Sequence, residues 1–192
     1  SPKSMTDPPQ KPLITKTQSV AKSRLFTIEQ VDLTFSNGQK RIYERMKPNN
    51  RKAVMIIPVL GDDLLLIEEY AVAIEEYELG FPKGAVEPGE EIFAAANREL
   101  MEEIGYGANK LTLLTQLSTM PSYFANRIAI VLAEDLYPKK LEGDEPETLT
   151  LVKWPMAKMM ELLDQACFHE TRNVSSLFLA REHFLKHDML PK

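Results

Sequence analysis

The sequence predicts an α+β fold, in which pairs of antiparallel strands come first and helices occupy the middle and the end of the chain. Two turn signals typical of antiparallel strand pairs occur early, at Asn37-Gly38 and at Gly61-Asp62. Strands and helices do not alternate strictly after them, which argues against a doubly wound parallel sheet. The 192 residues suffice for about one domain with a well-buried core.

The composition excludes several classes of protein. Lys and Arg number 23 against 28 Asp and Glu, a formal net charge of −5, so we expect no nucleic-acid partner. The longest apolar stretch, 53–60, is too short to span a bilayer and contains Pro58, so we expect no membrane partner. The single Cys167 cannot form an intrachain disulfide or a cysteine zinc cluster. Because the first twelve residues lack an apolar signal-peptide core, we expect a cytoplasmic protein.

The N-terminal part of the chain changes character twice. Its first residues are rich in Pro, Thr, Gln and Lys, which is typical of mobile segments. From Ser23 to Phe35 apolar and polar residues alternate, and a return strand over 41–46 follows the Asn37-Gly38 turn. Such a hairpin leaves strand edges unpaired, which a second copy could cover, so we expect a homodimer. The predicted segments are a flexible lead-in over 1–19, an N-terminal β-hairpin unit for dimerisation over 20–50 and a main domain over 51–192.

The main domain begins with a second hairpin, whose strands are expected over 53–60 and 64–67. A helix is expected over 91–104, because an alanine-rich stretch begins after Pro88-Gly89 and ends at Gly105. The other expected elements are a strand over 77–79, strands over 111–117, 127–133 and 149–154, and amphipathic helices over 156–163 and 174–185.

The predicted central helix carries a cluster of acidic residues. Glu99, Glu102 and Glu103 have i, i+3 and i+4 spacing, so their carboxylates share one helix face. Such close like charges repel unless a cation lies among them, and oxygen ligands without His or Cys favour Mg²⁺ or Mn²⁺ over zinc. Arg98 can pair with Glu102, and Glu90 can fold back toward the same place. Taken alone, such a cluster is more often a solvated acidic helix face than a metal site.

These glutamates belong to a longer pattern with fixed spacing. Its members are Gly84, Glu90, Arg98-Glu99-Leu100, Glu102-Glu103 and Gly105. The pattern resembles the conserved box of the Nudix hydrolase family. One position departs from it, because Tyr106 stands where that box usually ends in an aliphatic residue. An aromatic side chain can still cover the helix end, so this departure puts little in doubt.

The resemblance implies a Nudix-type α/β/α sandwich with a mixed sheet, to which the N-terminal antiparallel strand unit is added. It also implies a hydrolase of nucleoside diphosphates linked to another moiety, with Mg²⁺ or Mn²⁺ as cofactor. In the family, the glutamates that match Glu99 and Glu103 are the principal metal ligands, and the one that matches Glu102 supports a second metal or the water. This chemistry is reasonable, because metals neutralise the adjacent charges of a pyrophosphate and activate a water.

The sequences that flank the box are similar to those of Nudix enzymes that act on ADP-linked compounds. The matching stretches are 23–27, 35–38, 43–46, 77–81, 121–124 and 141–147. The resemblance implies an ADP-containing substrate, such as ADP-ribose, NADH or a short diadenosine polyphosphate, with AMP as a product. It also implies homodimers whose N-terminal strands cross to the partner. A diadenosine polyphosphate or sugar-nucleotide specialist, and a non-catalytic nucleotide-binding module, remain open alternatives.

The same resemblance suggests the residues that carry the reaction. In the related group a loop between the last strands delivers a glutamate to the attacking water, and Glu145 matches it best, with Glu147 as the second choice. Glu102 is the other catalytic candidate. The candidate substrate-binding residues are Arg45, Asn50, Arg51, Glu78, Lys83, Ser122 and Tyr123.

Overall fold

A computed structural model describes residues 10–192 of the chain. The chain forms two compact units. Of the described residues, the first unit contains 10–49 together with 120–125, and the second contains 50–119 and 126–192. The assignment of 120–125 to the first unit was not indicated by the sequence, because these residues are far from that unit along the chain.

The first unit is a three-stranded antiparallel sheet. Its strands are β1 (Leu13–Lys22), β2 (Thr27–Thr34) and β3 (Lys40–Met46), with β2 in the middle. The predicted turn at Asn37-Gly38 connects β2 to β3. Gly38 has a φ of +86°, which a residue with a side chain rarely adopts, and the Asn37 side chain accepts a hydrogen bond of 3.0 Å from the Gln39 N–H.

The predicted flexible lead-in over 1–19 is wrong from Leu13 onward, because β1 pairs with β2 along its length. All 10 residues of β1 are exposed, so main-chain pairing rather than side-chain burial holds the strand. A strand without buried side chains leaves no apolar alternation in the sequence. The alternating strand predicted from Ser23 begins only at Thr27, where β2 starts. Residues 1–9 lie outside the described part of the chain.

The second unit is built on a seven-stranded mixed sheet. Its strands are β4 (Lys52–Leu60), β5 (Asp63–Ala71), β6 (Glu76–Gly80), β7 (Lys83–Val86), β8 (Tyr106–Ser118), β9 (Arg127–Pro138) and β10 (Thr150–Pro155). The main path runs in the order β10-β5-β4-β9-β8, while β6 pairs with β5 and β7 pairs with β4. The β4–β9 pair is parallel and the other pairs are antiparallel.

Helices cover both faces of this sheet. Helix α1 (Ile92–Glu103) packs on one face, and a 3₁₀ helix (Met156–Asp164) and α2 (Thr171–Lys186) pack on the other. Strand β4 is buried on both sides, so Ile56 lies in the core with α1 whereas Ile57 lies in the core with α2. The predicted α/β/α sandwich with a mixed sheet and an added N-terminal antiparallel unit is confirmed.

Most predicted elements of the second unit are present, with shifted ends. The helix predicted over 156–163 is present as a 3₁₀ helix with non-helical backbone at Lys158. Strand β7 was not predicted, because its four residues are too short for any periodicity to show. Within the described residues, every helix is too short or too polar to cross a membrane.

Helix α1 packs closely on the sheet because two of its buried side chains are those of alanine. Ala95 and Ala96 are fully buried in the core that α1 shares with the sheet. The helix ends at Gly105, which has a φ of +83° and whose N–H donates to the Leu100 carbonyl at 3.1 Å. The Asn97 side chain accepts a hydrogen bond of 2.8 Å from the Ala108 N–H, which ties the helix to the start of β8. These contacts fix the position of α1 and of its acidic residues, of which Glu99 and Glu103 are buried beside the alanines.

Candidate active site

The acidic face of α1 is packed against β7. Glu99 and Glu103 are each only 8% exposed, whereas Glu102 is partly exposed. The Lys83 N–H donates to Glu103 Oε2 at 3.1 Å. A Cβ at Gly84 would lie 2.1 Å from the Glu99 carboxyl carbon, so only glycine leaves room for this carboxylate. The predicted cluster therefore exists as a buried pair of carboxylates with a third at its edge.

Arg98 is the cation that the glutamates share. Its guanidinium contacts Glu90 through Nε at 2.9 Å, Glu99 through Nη1 at 2.9 Å, and Glu102 through Nη1 at 3.5 Å. Its Nη2 also donates to the Ala85 carbonyl at 3.0 Å. The contact with Arg98 lowers the pKa of Glu90. The sequence-based expectations that Arg98 pairs with Glu102 and that Glu90 folds back toward the helix both agree with the structure.

One guanidinium does not balance the charge of the cluster. Burial raises the pKa of Glu99 to about 7, and the charges of Glu102 and Glu145 add to this effect while Arg98 opposes it. Burial likewise raises the pKa of Glu103 to about 8, helped by the charges of Glu99 and Glu69 and opposed by Lys83. The site is thus a desolvated place with excess negative charge, where an added cation is favourable.

Glu69 belongs to this cluster although the sequence analysis did not single it out. It lies on β5, and its Oε2 is 3.3 Å from the Lys83 ammonium. The predicted substrate-binding residue Lys83 therefore lies at the glutamate cluster, paired with Glu69. The missed signal was the alternation of β5, since Ile67 is buried in the core with α1 and Glu69 follows two residues later on the same face.

The donor set fits a divalent cation such as Mg²⁺ or Mn²⁺. It consists of carboxylate oxygens, which are the ligands that these ions prefer. Two of the carboxylates, those of Glu99 and Glu103, are buried, and Arg98 offsets only part of their negative charge. In the described part of the chain, no three His, Cys, Asp or Glu side chains already form a metal cage. The guanidinium of Arg98 contacts both Glu99 and Glu102.

The loop between β9 and β10 brings a further carboxylate to the cluster. Glu145 is half-buried, and its charge contributes to the raised pKa of Glu99. Its carboxylate lies against Gly143, where a Cβ would be 2.2 Å from Glu145 Oε2. Glu147, by contrast, accepts a hydrogen bond of 2.7 Å from the hydroxyl of Tyr77. Of the two predicted loop glutamates, Glu145 thus approaches the box and Glu147 is engaged with β6.

The other predicted substrate-binding residues are divided between the units. Arg45, Ser122 and Tyr123 line one small cavity of the first unit, and the Tyr123 carbonyl accepts a hydrogen bond of 2.9 Å from the N–H of Met46. Arg45 also pairs through Nε with Glu29 at 3.2 Å. In the second unit, Asn50 and Arg51 are exposed just before β4, and Glu78 lies opposite Glu69 in the β5–β6 register.

Comparison with known proteins identifies the family of this site. Residues 49–172 match the family model of the NUDIX domain, and residues 12–45 match that of the NudE-type Nudix hydrolase N-terminal domain. The chain belongs to the Nudix family. The family predicted from the spacing between Gly84 and Gly105 is confirmed, and this Nudix chain carries the NudE-type N-terminal unit as well.

Individual relatives of the Nudix chain cover most of its length. The ADP compounds hydrolase NudE of Escherichia coli (strain K12) is 61% identical over 173 residues, which cover 90% of this chain and 93% of that protein. The ADP-ribose pyrophosphatase of Bacillus subtilis (strain 168) is 26% identical, covering 83% of this chain and 90% of that protein. A crystal structure of an ADP compounds hydrolase matches with a TM-score of 0.94 and 57% identity, covering 96% of this chain and all of that one.

Proposed function

We propose that this Nudix protein hydrolyses the pyrophosphate bond of ADP-linked small molecules, such as ADP-ribose, NADH and short diadenosine polyphosphates, and releases AMP. The observation that carries the proposal is the buried pair of Glu99 and Glu103, whose negative charge exceeds what Arg98 neutralises. The similarity to the ADP compounds hydrolase NudE, at 61% identity, supports an ADP-containing substrate.

Mg²⁺ or Mn²⁺ is the proposed cofactor, held by Glu99 and Glu103, with Glu102 supporting a second ion or the water. Such an ion supplies charge neutralisation of the pyrophosphate and lowers the pKa of the attacking water. Arg98 pairs with Glu90, Glu99 and Glu102, which reduces the repulsion between these carboxylates. Gly84 leaves the space in which Glu99 turns toward β7.

Glu145 is the proposed general base. It takes a proton from the water as the water oxygen bonds to phosphorus and the bridging P–O bond breaks, giving two phosphate monoesters from ADP-ribose. The approach of Glu145 to Glu99 supports this role, and the Tyr77 hydrogen bond of Glu147 makes Glu147 the weaker candidate. If neither loop residue serves, Glu102 at the edge of the cluster is the remaining candidate for activating the water.

Candidate substrate-binding residues are proposed in each unit separately. Lys83 offers a cation beside the cluster, and Tyr123 and Ser122 offer a ring and a hydroxyl in the cavity that Arg45 also lines. Asn50, Arg51 and Glu78 complete the proposed set.

We also propose that the protein is a cytoplasmic homodimer. The first unit exposes Leu13, Ile14 and Ile42, each more than half accessible, and a second copy could cover these side chains.

A substrate panel tests the proposal. Initial rates with Mg²⁺ and with Mn²⁺ are compared for ADP-ribose, NADH, diadenosine polyphosphates and ADP-sugars, and the products are separated by chromatography. We expect AMP from several ADP-linked substrates and no turnover in EDTA. Turnover of diadenosine polyphosphates or sugar nucleotides alone would favour a specialist. Binding of ADP-ribose without any product would favour a non-catalytic module.

A further inference from the structure

The loop that carries Glu145, residues 139–149, is fixed at its beginning to the end of α1. The N–H of Lys139 donates to the Gly105 carbonyl at 3.0 Å, and the N–H of Leu141 donates to the Met101 carbonyl at 3.2 Å. The Lys140 ammonium donates to the Glu102 carbonyl. Carbonyls in the last turn of a helix have no partner within the helix, so the bonds to Met101 and Glu102 satisfy two of them, and all three bonds hold the loop entrance.

The other end of the loop is held by a side chain from across the sheet. The Tyr77 hydroxyl donates to Glu147 Oε1 at 2.7 Å, although the two residues are 70 positions apart. Tyr77 lies on β6 opposite Tyr70 on β5, with ring centroids 5.4 Å apart. Strands β6 and β10 both pair with β5, and Glu147 lies in the loop just before β10. The hydrogen bond of Tyr77 therefore connects β6 to the residues that lead into β10.

We infer that Tyr77 is a positioning residue, whose hydrogen bond to Glu147 holds the exit of the 139–149 loop so that Glu145 stays at the glutamate cluster. The inference rests on the proposed function, in which Glu145 takes the proton of the water. Among the described residues, the hydrogen bond of the Tyr77 hydroxyl runs to Glu147 and not to a glutamate of the box.

The surroundings of the two residues support this role. Glu145 lies two positions before Glu147 and packs against Gly143. Because the two glutamates are so close along the chain, a displacement of Glu147 also displaces Glu145. Tyr77 is 52% exposed, so removal of its hydroxyl leaves no cavity in the core. The hydrogen bond to Glu147 also raises the pKa of Tyr77, because a phenolate would face a carboxylate. The hydroxyl therefore remains a donor through neutral pH.

The test combines kinetics with hydrogen exchange on the full-length chain. The variants are Tyr77→Phe, which removes the donor, Glu147→Ala, which removes the acceptor, and Glu147→Gln, which keeps an acceptor oxygen. Tyr70→Phe is the matched control, since it removes a hydroxyl from the neighbouring ring that shows no hydrogen bond among the described residues. Amide exchange of residues 141–149 is measured by mass spectrometry, and kcat and KM are measured with ADP-ribose and Mg²⁺.

We expect faster exchange of the loop and a kcat about 3- to 10-fold lower in Tyr77→Phe and Glu147→Ala, the range for loss of one exposed hydrogen bond. KM should stay within about twofold, because a base acts mainly in the transition state. Tyr70→Phe should match the wild type, and Glu147→Gln should keep the wild-type exchange of the loop. The Tyr77→Phe/Glu147→Ala double variant should be no slower than the slower single variant, since both changes remove one bond.

Two results would overturn the inference. One is unchanged loop exchange in Tyr77→Phe, and the other is faster exchange accompanied by a raised KM at unchanged kcat. Failure of the proposed function is distinguishable from both, because it appears in the wild type as binding of ADP-ribose without AMP. In that case the exchange measurement alone decides whether Tyr77 holds the loop.

Discussion

Replacing Glu103 by Gln should inactivate the protein and stabilise it at the same time. Glu103 is 8% exposed, and burial raises its pKa from 4.5 to about 8. Gln has the same size and keeps an oxygen that can accept the hydrogen bond of 3.1 Å from the Lys83 N–H. The variant therefore removes one charge from a desolvated site while leaving the packing in place.

The sign and the size of the effect follow from the raised pKa. Between pH 4.5 and about 8 the folded state holds a proton on Glu103 that the unfolded state has released, so the wild type loses stability as pH rises through this window. Above this pH window, the charge on Glu103 lowers the free energy of unfolding by roughly 3 to 5 kcal/mol. The loss is smaller if Glu99 and Glu103 share the proton. Glu103→Gln should show no such loss, and its advantage should shrink toward zero near pH 4.5.

The assay is urea unfolding in EDTA at pH 5 and pH 9, repeated with Mg²⁺. Glu161→Gln, an exposed glutamate of the 3₁₀ helix, is the matched control. Mg²⁺ should stabilise the wild type by about 2 to 3 kcal/mol at one hundred times its Kd and stabilise Glu103→Gln much less. The reasoning is refuted if Glu103→Gln is less stable than the wild type at pH 9, or if it keeps near-wild-type kcat at saturating Mg²⁺.

Three further predictions concern the cluster, the base and the assembly. Gly84→Ala should lower kcat about 100-fold, because its Cβ would displace the Glu99 carboxylate; unchanged kinetics would contradict the close approach. Glu145→Gln should lower kcat much more than it raises KM, and Glu147→Gln should be milder; the reverse order in steady-state kinetics would transfer the role of the base to Glu147. Sedimentation at micromolar concentration should show a dimer that Ile42→Asp weakens, since the substitution places a charge on exposed apolar surface, and a wild-type monomer would exclude the dimer.

The parts of the fold that the sequence predicted are those with local signals. Helix α1 was found because an alanine-rich stretch is bounded by glycines, and its acidic face follows from the spacing of Glu99, Glu102 and Glu103 alone. The turns at Gly38 and Gly61 were found because both positions need a positive φ. Strand β1 was missed because none of its side chains is buried, so its pairing leaves no mark in the apolar pattern.

The parts of the site that depend on distant contacts could not be predicted in the same way. Glu69 reaches the cluster through the register of β5, and its neighbour Glu68 is equally acidic in sequence. The difference between Glu145 and Glu147 depends on Tyr77, which is 70 positions away from Glu147. Local spacing thus identifies the acidic helix, whereas the fold decides which additional carboxylates approach it.

The most direct test of the account is hydrolysis of ADP-ribose in ¹⁸O-labelled water with Mg²⁺, followed by mass spectrometry of the products. The account predicts equal amounts of AMP and ribose 5-phosphate, with one ¹⁸O atom incorporated per bond cleaved. It also predicts that the reaction stops in EDTA and slows at least 100-fold in Glu103→Gln, roughly the loss of one essential group. Tight binding of ADP-ribose without any AMP, or equal rates with and without EDTA, would contradict it.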